Sequence, residues 1–91
     1  MNRRRERLEV IYDFLDIIQH NHGSIKRTPL LRRINLSSQS FSEYFEELLT
    51  KGFIRILEGR KKDKFITLTD KGYRYVNKYK QFHGFIDEFG L

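Results

Sequence analysis

The sequence predicts an α+β fold, mainly α, in which three helices are followed by a two-stranded β-hairpin and a final helix. Three observations predict it. Apolar residues recur at three- and four-residue steps through the N-terminal half; FIRIL (53–57) and FITLT (65–69) alternate at period two around a charged stretch; and the C-terminal segment returns to helical spacing with an aromatic stripe. A chain of 91 residues supports one hydrophobic core and not two. With 38% hydrophobic residues and neither a repeat nor a low-complexity tract, it is expected to fold as one small domain.

From Arg5 to His20 a first helix is drawn by Leu8, Ile11, Leu15 and Ile18, with Val10, Phe14 and Ile17 widening its apolar stripe. It stops at HNHGS, where Gly23 accepts a left-handed conformation and His20 and His22 face the negative end of the helix dipole. The next residues, SIK, read as a short extended piece. In TPLLRRIN, Thr28 reads as an N-cap and Pro29 as the first position of a short second helix ending near Ile34. Ser37 or Ser38 then caps a third helix with Phe41, Phe45, Leu48 and Leu49 on its buried side and Tyr44 at its edge, closed by Lys51 and Gly52. FIRIL and FITLT form antiparallel strands joined by the seven residues EGRKKDK. Thr69 caps a last helix from Asp70, in which Tyr75, Tyr79, Phe82, Ile86 and Phe89 step by four, three, four and three, a heptad seam.

This is the order of a winged helix-turn-helix: three helices plus a two-stranded β-hairpin wing, with a C-terminal dimerisation helix. Residues 1–69 would form the DNA-binding domain with a basic N-terminal arm, and residues 70–91 the C-terminal helix, the two making one folded unit. The stretches RLEVIYDFLDII, TPLLRRINLSSQSFSEYFEELLTKGFI and FITLTDKG make the chain resemble, over about residues 5–80, the small archaeal winged-helix DNA-binding proteins. These include chromatin-type members that dimerise through a long C-terminal helix. The resemblance implies a DNA-binding domain, usually dimeric, acting as a transcriptional regulator or an architectural nucleoid protein. Relatives of this kind often carry lysine early in the recognition helix, where this chain has Ser38, Gln39 and Ser40.

The net charge of +6 and a pI near 9.8 favour a polyanionic partner. Arg60, Lys61, Lys62 and Lys64 sit at the tip of the wing, where they can reach phosphates beside the groove entered by the third helix. Lys26, Arg27, Arg32 and Arg33 surround the second helix, which in this fold crosses the sugar-phosphate backbone. Arg3, Arg4, Arg5 and Arg7 occupy the wrong end of the first helix for cations. A basic arm on phosphate or in a minor groove accounts for them, and so does a disordered solubilising tail. Ser37 and Ser38 serve either as caps or as base contacts, whereas Gln39 and Ser42, opposite Phe41 and Phe45, read as base contacts. Glu43, Glu46 and Glu47 read as a solvated face, with Glu47 paired to Lys51 at i,i+4.

Tyr75, Tyr79, Phe82, Ile86 and Phe89 are the expected homodimer interface; the alternative is that Tyr75 and Tyr79 fold back on the first helix. The chain has no cysteine, so neither a disulfide framework nor a thiolate zinc site is expected. The His20 and His22 pair lacks an evident third ligand, and nothing resembles a phosphate loop or nucleophile elbow. No metal, cofactor, small-molecule ligand or catalysis is expected. Neither a membrane span nor a secretory h-region is present in the pattern, which points to a cytoplasmic, nucleoid-associated protein. The expected function is therefore binding of double-stranded DNA by a dimeric regulator, placed ahead of a chromatin packager because the recognition helix is polar rather than basic. A winged-helix protein-interaction module is the competing class. Binding of structured RNA is disfavoured because Phe53 and Phe65 read as core rather than as a stacking platform.

Overall fold

The computed structural model describes residues 3–91, and side chains from Glu6 onward. Its elements are α1 (Arg3–His20), β1 (Ser24–Ile25), α2 (Arg27–Arg33), α3 (Ser38–Thr50), β2 (Ile54–Glu58), β3 (Lys64–Leu68) and α4 (Asp70–Glu88). The backbone of Arg3, Arg4 and Arg5 belongs to α1, and their side chains lie outside the described residues.

The helix boundaries follow local chemistry, with one shift. Ser37 caps α3, its Oγ accepting the Ser40 N–H at 3.1 Å, so of the two candidate serines Ser37 is the cap. Thr69 caps α4, accepting from Gly72 N–H at 3.2 Å. The second helix begins earlier than the proline suggested: Lys26 is its N-cap, without a side-chain bond, and Pro29 is its third residue rather than its first. The reason is that Leu30 N–H makes the bond to Lys26 carbonyl, at 3.2 Å. Pro29 still lies in the first turn, where a missing N–H loses no partner. Gly52 ends α3 in the left-handed region (φ +79°), and at the end of α1 His22 (φ +63°) joins Gly23 (φ +84°) there.

The sheet has one strand more than the predicted hairpin. Its order is β1-β3-β2, all antiparallel, because the extended SIK piece pairs Ser24 with Thr67 and Ile25 with Ile66. The β2–β3 register runs from Ile54 opposite Leu68 to Glu58 opposite Lys64, which leaves Gly59–Asp63 as the tip. Paired residues share a face, so Ile25, Ile54, Ile66 and Leu68 enter the core together. Further along β2 the hairpin runs past the helices, and Ile56 and Leu57 are exposed despite their apolar character. Phe53 packs against the core as expected, whereas Phe65 sits on the face opposite to Ile66 and lies outside the core cluster.

The core is built from Ile11, Phe14, Leu15 and Ile18 of α1, Leu30 and Ile34, Phe41, Phe45 and Leu48 of α3, the sheet residues above and Val76 of α4. Phe14 stacks on Phe41 at 5.2 Å and Phe41 on Phe45 at 5.9 Å, an aromatic column joining α1 to the recognition helix. Leu8 falls beyond this column and is 41% exposed, so the predicted stripe is buried only from Ile11 onward.

The first half of α4 is part of the domain. Gly72 and Val76 are buried, Tyr75 sets the edge of its ring against Phe53, and Tyr79 stacks on Tyr12 with 4.3 Å between centroids. The Tyr75 hydroxyl donates to the Leu8 carbonyl at 2.7 Å. Burial, then the neighbouring Tyr79 and against the opposing influence of Arg7, pushes its pKa up to about 12, so it is the neutral phenol that makes this bond at ordinary pH. Val76 is the last buried residue of α4. The helix then runs on for about 18 Å at 1.5 Å per residue. That projection accords with the molecule's extents of 50 × 25 × 22 Å.

Candidate nucleic-acid interface

The wing tip is a tight turn in which Gly59 N–H donates to the Asp63 carbonyl at 2.6 Å and Asp63 N–H to the Arg60 carbonyl at 3.3 Å. Closing it forces Lys61 (φ 60°, ψ 28°) and Lys62 (φ 63°) into the left-handed region. For an L-residue that conformation costs roughly 1–2 kcal/mol, and hairpins usually put Asn or Gly there. The consequence is that cations occupy positions where glycine would relax the turn. Lys62→Gly is expected to raise stability by up to about 1 kcal/mol in chemical denaturation; a loss of stability would mean that the lysine stem packs on something. Arg60, Lys61, Lys62 and Lys64 are all exposed, and none has a side-chain hydrogen bond or ion pair among the described residues.

The tip is tied to the start of α2. Lys26 Nζ lies 3.8 Å from Asp63 Oδ2 and 5.6 Å from the centre of the Phe65 ring. Phe65, expected in the core, instead forms the apolar floor under this cation. Arg27, the next residue, turns the other way: its guanidinium lies 4.6 Å from the centre of the Phe45 ring and 5.1 Å from that of Phe41, and Nη2 donates to Ser42 Oγ at 3.4 Å. Wing tip, Lys26, Arg27 and the first two turns of α3 are thus one continuous surface. On α3 itself Ser38, Gln39, Ser42, Glu43 and Glu46 are exposed, and Gln39 Nε2 donates to Glu43 Oε1 at 3.4 Å.

Residues 4–86 match the family model described as winged helix-turn-helix. The chain belongs to the winged helix-turn-helix family. It is similar to a protein of Methanocaldococcus jannaschii described as uncharacterised, 36% identical over 84 residues that cover 89% of this chain and 79% of that one. No solved structure matches it. A winged helix-turn-helix is typically a DNA-binding, non-enzymatic fold.

In this winged helix the cations grouped together around the second helix part company. Arg33 reaches back to the end of α1, donating to Asn21 Oδ1 at 3.1 Å, while Arg32 is exposed with no hydrogen bond or ion pair among the described residues. Arg7 is used internally. It pairs with Glu47, which also takes Lys51 Nζ at 2.6 Å, the i,i+4 pair expected from sequence, and its guanidinium lies 5.9 Å from the Tyr44 ring centre. Lys71 likewise serves the fold, donating to the Lys51 carbonyl at 2.7 Å over the Phe53 ring. Sequence reading had no signal for either role, because both depend on contacts across the fold.

The opposite character marks the groove between α1 and α4. A cavity of about 440 Å³ is lined by the carboxylates Glu9, Asp13 and Asp87, with Lys80, Tyr12, Tyr79 and His83 beside them. Burial, then Glu9 and Asp16, raises the pKa of Asp13 above the usual carboxylate value. With three carboxylates to one lysine, this surface is unfavourable for phosphate. Farther along α4, Phe82 (57% exposed), Phe85 and Phe89 stand open, with Ile86 half-buried. The heptad seam therefore divides within the chain: Tyr75 and Tyr79 pack on the domain's own Phe53 and Tyr12, and the residues from Phe82 onward project beyond the last buried position. Among the described residues no group of three His, Cys, Asp or Glu side chains could hold a metal ion, and no helix is long and apolar enough to cross a membrane.

Proposed function

We propose that this protein is a dimeric transcriptional regulator that binds double-stranded DNA, its third helix entering the major groove and its wing lying on the flanking phosphates. The observation that carries the proposal is the predominantly basic surface from Arg60, Lys61, Lys62 and Lys64, past Asp63, through Lys26 and Arg27 to the polar start of α3. Among the described residues four of those cations have no internal partner, which leaves them available for phosphate contact. Ser38, Gln39 and Ser42 would face base edges in the groove, and Arg32 and the arm residues Arg3, Arg4 and Arg5 would add backbone contacts.

The exposed Phe82, Phe85 and Phe89 support the dimer, since a projecting helix with this apolar end gains by packing against a second copy. Replacing Phe82 and Ile86 by alanine together is expected to give a folded monomer in sedimentation velocity, because Val76 is the last residue of α4 buried in the core. A variant that stays dimeric would remove these residues from the interface.

A second reading, an architectural DNA-binding protein with little sequence preference, draws on Glu43 and Glu46. Their carboxylates limit how closely the later turns of α3 approach a duplex. Fluorescence anisotropy on random duplex at several salt concentrations, followed by selection from a randomised duplex pool, separates the readings. Salt-dependent binding with an enriched motif is expected. Binding without enrichment favours the architectural role, and absence of binding at low salt would move the protein to the protein-interaction class.

A further inference from the structure

Resting on the DNA-binding reading above, we propose that Arg27 is a base-reading residue that selects guanine, not one more phosphate contact of the second helix. The guanidinium is flanked by the Phe45 and Phe41 rings at 4.6 and 5.1 Å, both rings being buried in the core at 4% and 1% exposure. A planar cation against fixed aromatic faces loses little further freedom when it binds, and arginine suits this arrangement better than lysine. Its link to Ser42 Oγ at 3.4 Å sets it beside the second turn of α3, although the residue itself is the first of α2.

The identity of the ligand follows from the donors and the local charge. A guanidinium offers five N–H donors, of which Ser42 engages one, so a pair remains for a bidentate acceptor. Two such acceptors could meet it: a phosphate, or the O6 and N7 edge of guanine in the major groove. Glu43, the next residue on α3, is exposed and accepts from Gln39, so a carboxylate stands on the face of the helix proposed to enter the groove and lowers its attraction for phosphate. The same carboxylate is compatible with a G·C pair, whose cytosine presents an amino donor in the same groove. Phosphate contact would be supplied by the exposed cations of the wing, toward whose Asp63 the α2 N-cap Lys26 is drawn. Ser42, accepting from Arg27, keeps its own hydroxyl hydrogen for a neighbouring base acceptor.

The test compares wild type, Arg27→Lys and Arg27→Ala by selection from a randomised duplex pool and by anisotropy against salt. Arg27 is exposed but covers the Phe41 and Phe45 rings, so chemical denaturation of each variant accompanies the binding assays, and Arg27→Lys, which keeps the charge and most of the stem, is the decisive comparison. Wild type is expected to enrich a motif containing guanine, and 7-deazaguanine at that position should weaken binding. Arg27→Lys should lose a preference of roughly 5- to 150-fold for guanine there while keeping its salt slope, because charge is retained and the fork is not. The proposal is overturned by an unchanged motif in Arg27→Lys, or by wild-type binding with no motif. It is also overturned if Arg27→Ala weakens all duplexes alike and lowers the salt slope by about 0.9, as loss of one phosphate contact would. Failure of wild type to bind any duplex would overturn the DNA-binding reading itself and this assignment with it.

Discussion

Replacing Arg60, Lys61, Lys62 and Lys64 together by alanine is expected to weaken binding to every duplex, whatever its sequence, and to flatten the dependence of affinity on salt. Each phosphate neutralised contributes about 0.9 to the slope of log K against log salt, so the loss is up to about 3.6 if all four reach phosphate. Extrapolated to 0.1 M salt, that slope corresponds to an affinity loss on the order of 10³-fold. Fold stability should hardly change, because the four side chains are exposed and without partners among the described residues, and alanine keeps the left-handed strain at positions 61 and 62. Anisotropy at several salt concentrations reads the slope, and chemical denaturation reads the stability. An unchanged slope would take the wing out of the contact set; an equal loss on all sequences with a preserved motif would establish it as a positioning device.

The largest effect expected on stability comes from a single methyl group. Gly→Ala inside a helix ordinarily stabilises by roughly 0.5–1 kcal/mol. At Gly72 the added Cβ would stand 2.3 Å from the Phe53 carbonyl oxygen and 3.2 Å from Leu68 Cδ2. The first of these is backbone, held also by the Thr69 N–H bond to the same oxygen at 3.2 Å, so it cannot swing aside. The start of α4 would have to lift, straining the Thr69 cap and the packing of Val76. Gly72→Ala is expected to destabilise by about 3 kcal/mol, the upper end for overpacking, and to lower the melting temperature by roughly 12–24 °C. Gly84→Ala is the control on the same helix, since nothing lies within 4 Å of its added Cβ. Equal stability of the two variants would show that the approach of α4 to Phe53 is looser than the structure has it.

Much of the fold was legible because its signals are local. Ser37, Thr69 and Gly52 act within one turn of where they stand, and the FIRIL and FITLT alternation places the hairpin and its charged tip. Where local reading went astray, a competing local rule or a distant partner was responsible. Pro29 is as well accommodated at the third position of a helix as at the first, so it marked the first turn of α2 without marking its first residue. The two residues of β1 are too short to read as a strand, and only β3 makes them one. Phe65 looked like core by residue type, but its parity in β3 puts it on the other face, beneath Lys26.

The sequence by itself determined the order of the four helices and the hairpin, the Thr69 cap, the family to which the chain belongs and the presence of cations at the wing. Each depends on residue type and spacing within a few positions. Tertiary structure alone decided which cations are available. Arg7 is taken up by Glu47, 40 positions away; Arg33 is turned to Asn21; and Arg27, grouped by sequence with the second helix, is laid on the aromatic rings of the third. It likewise divided the C-terminal aromatic seam, holding Tyr75 through a bond to a carbonyl 67 positions earlier and leaving Phe82 and Phe89 in solvent. The physical reason is that a charge or an apolar ring is free or satisfied only with respect to its neighbours in space, and those neighbours come from distant parts of the chain.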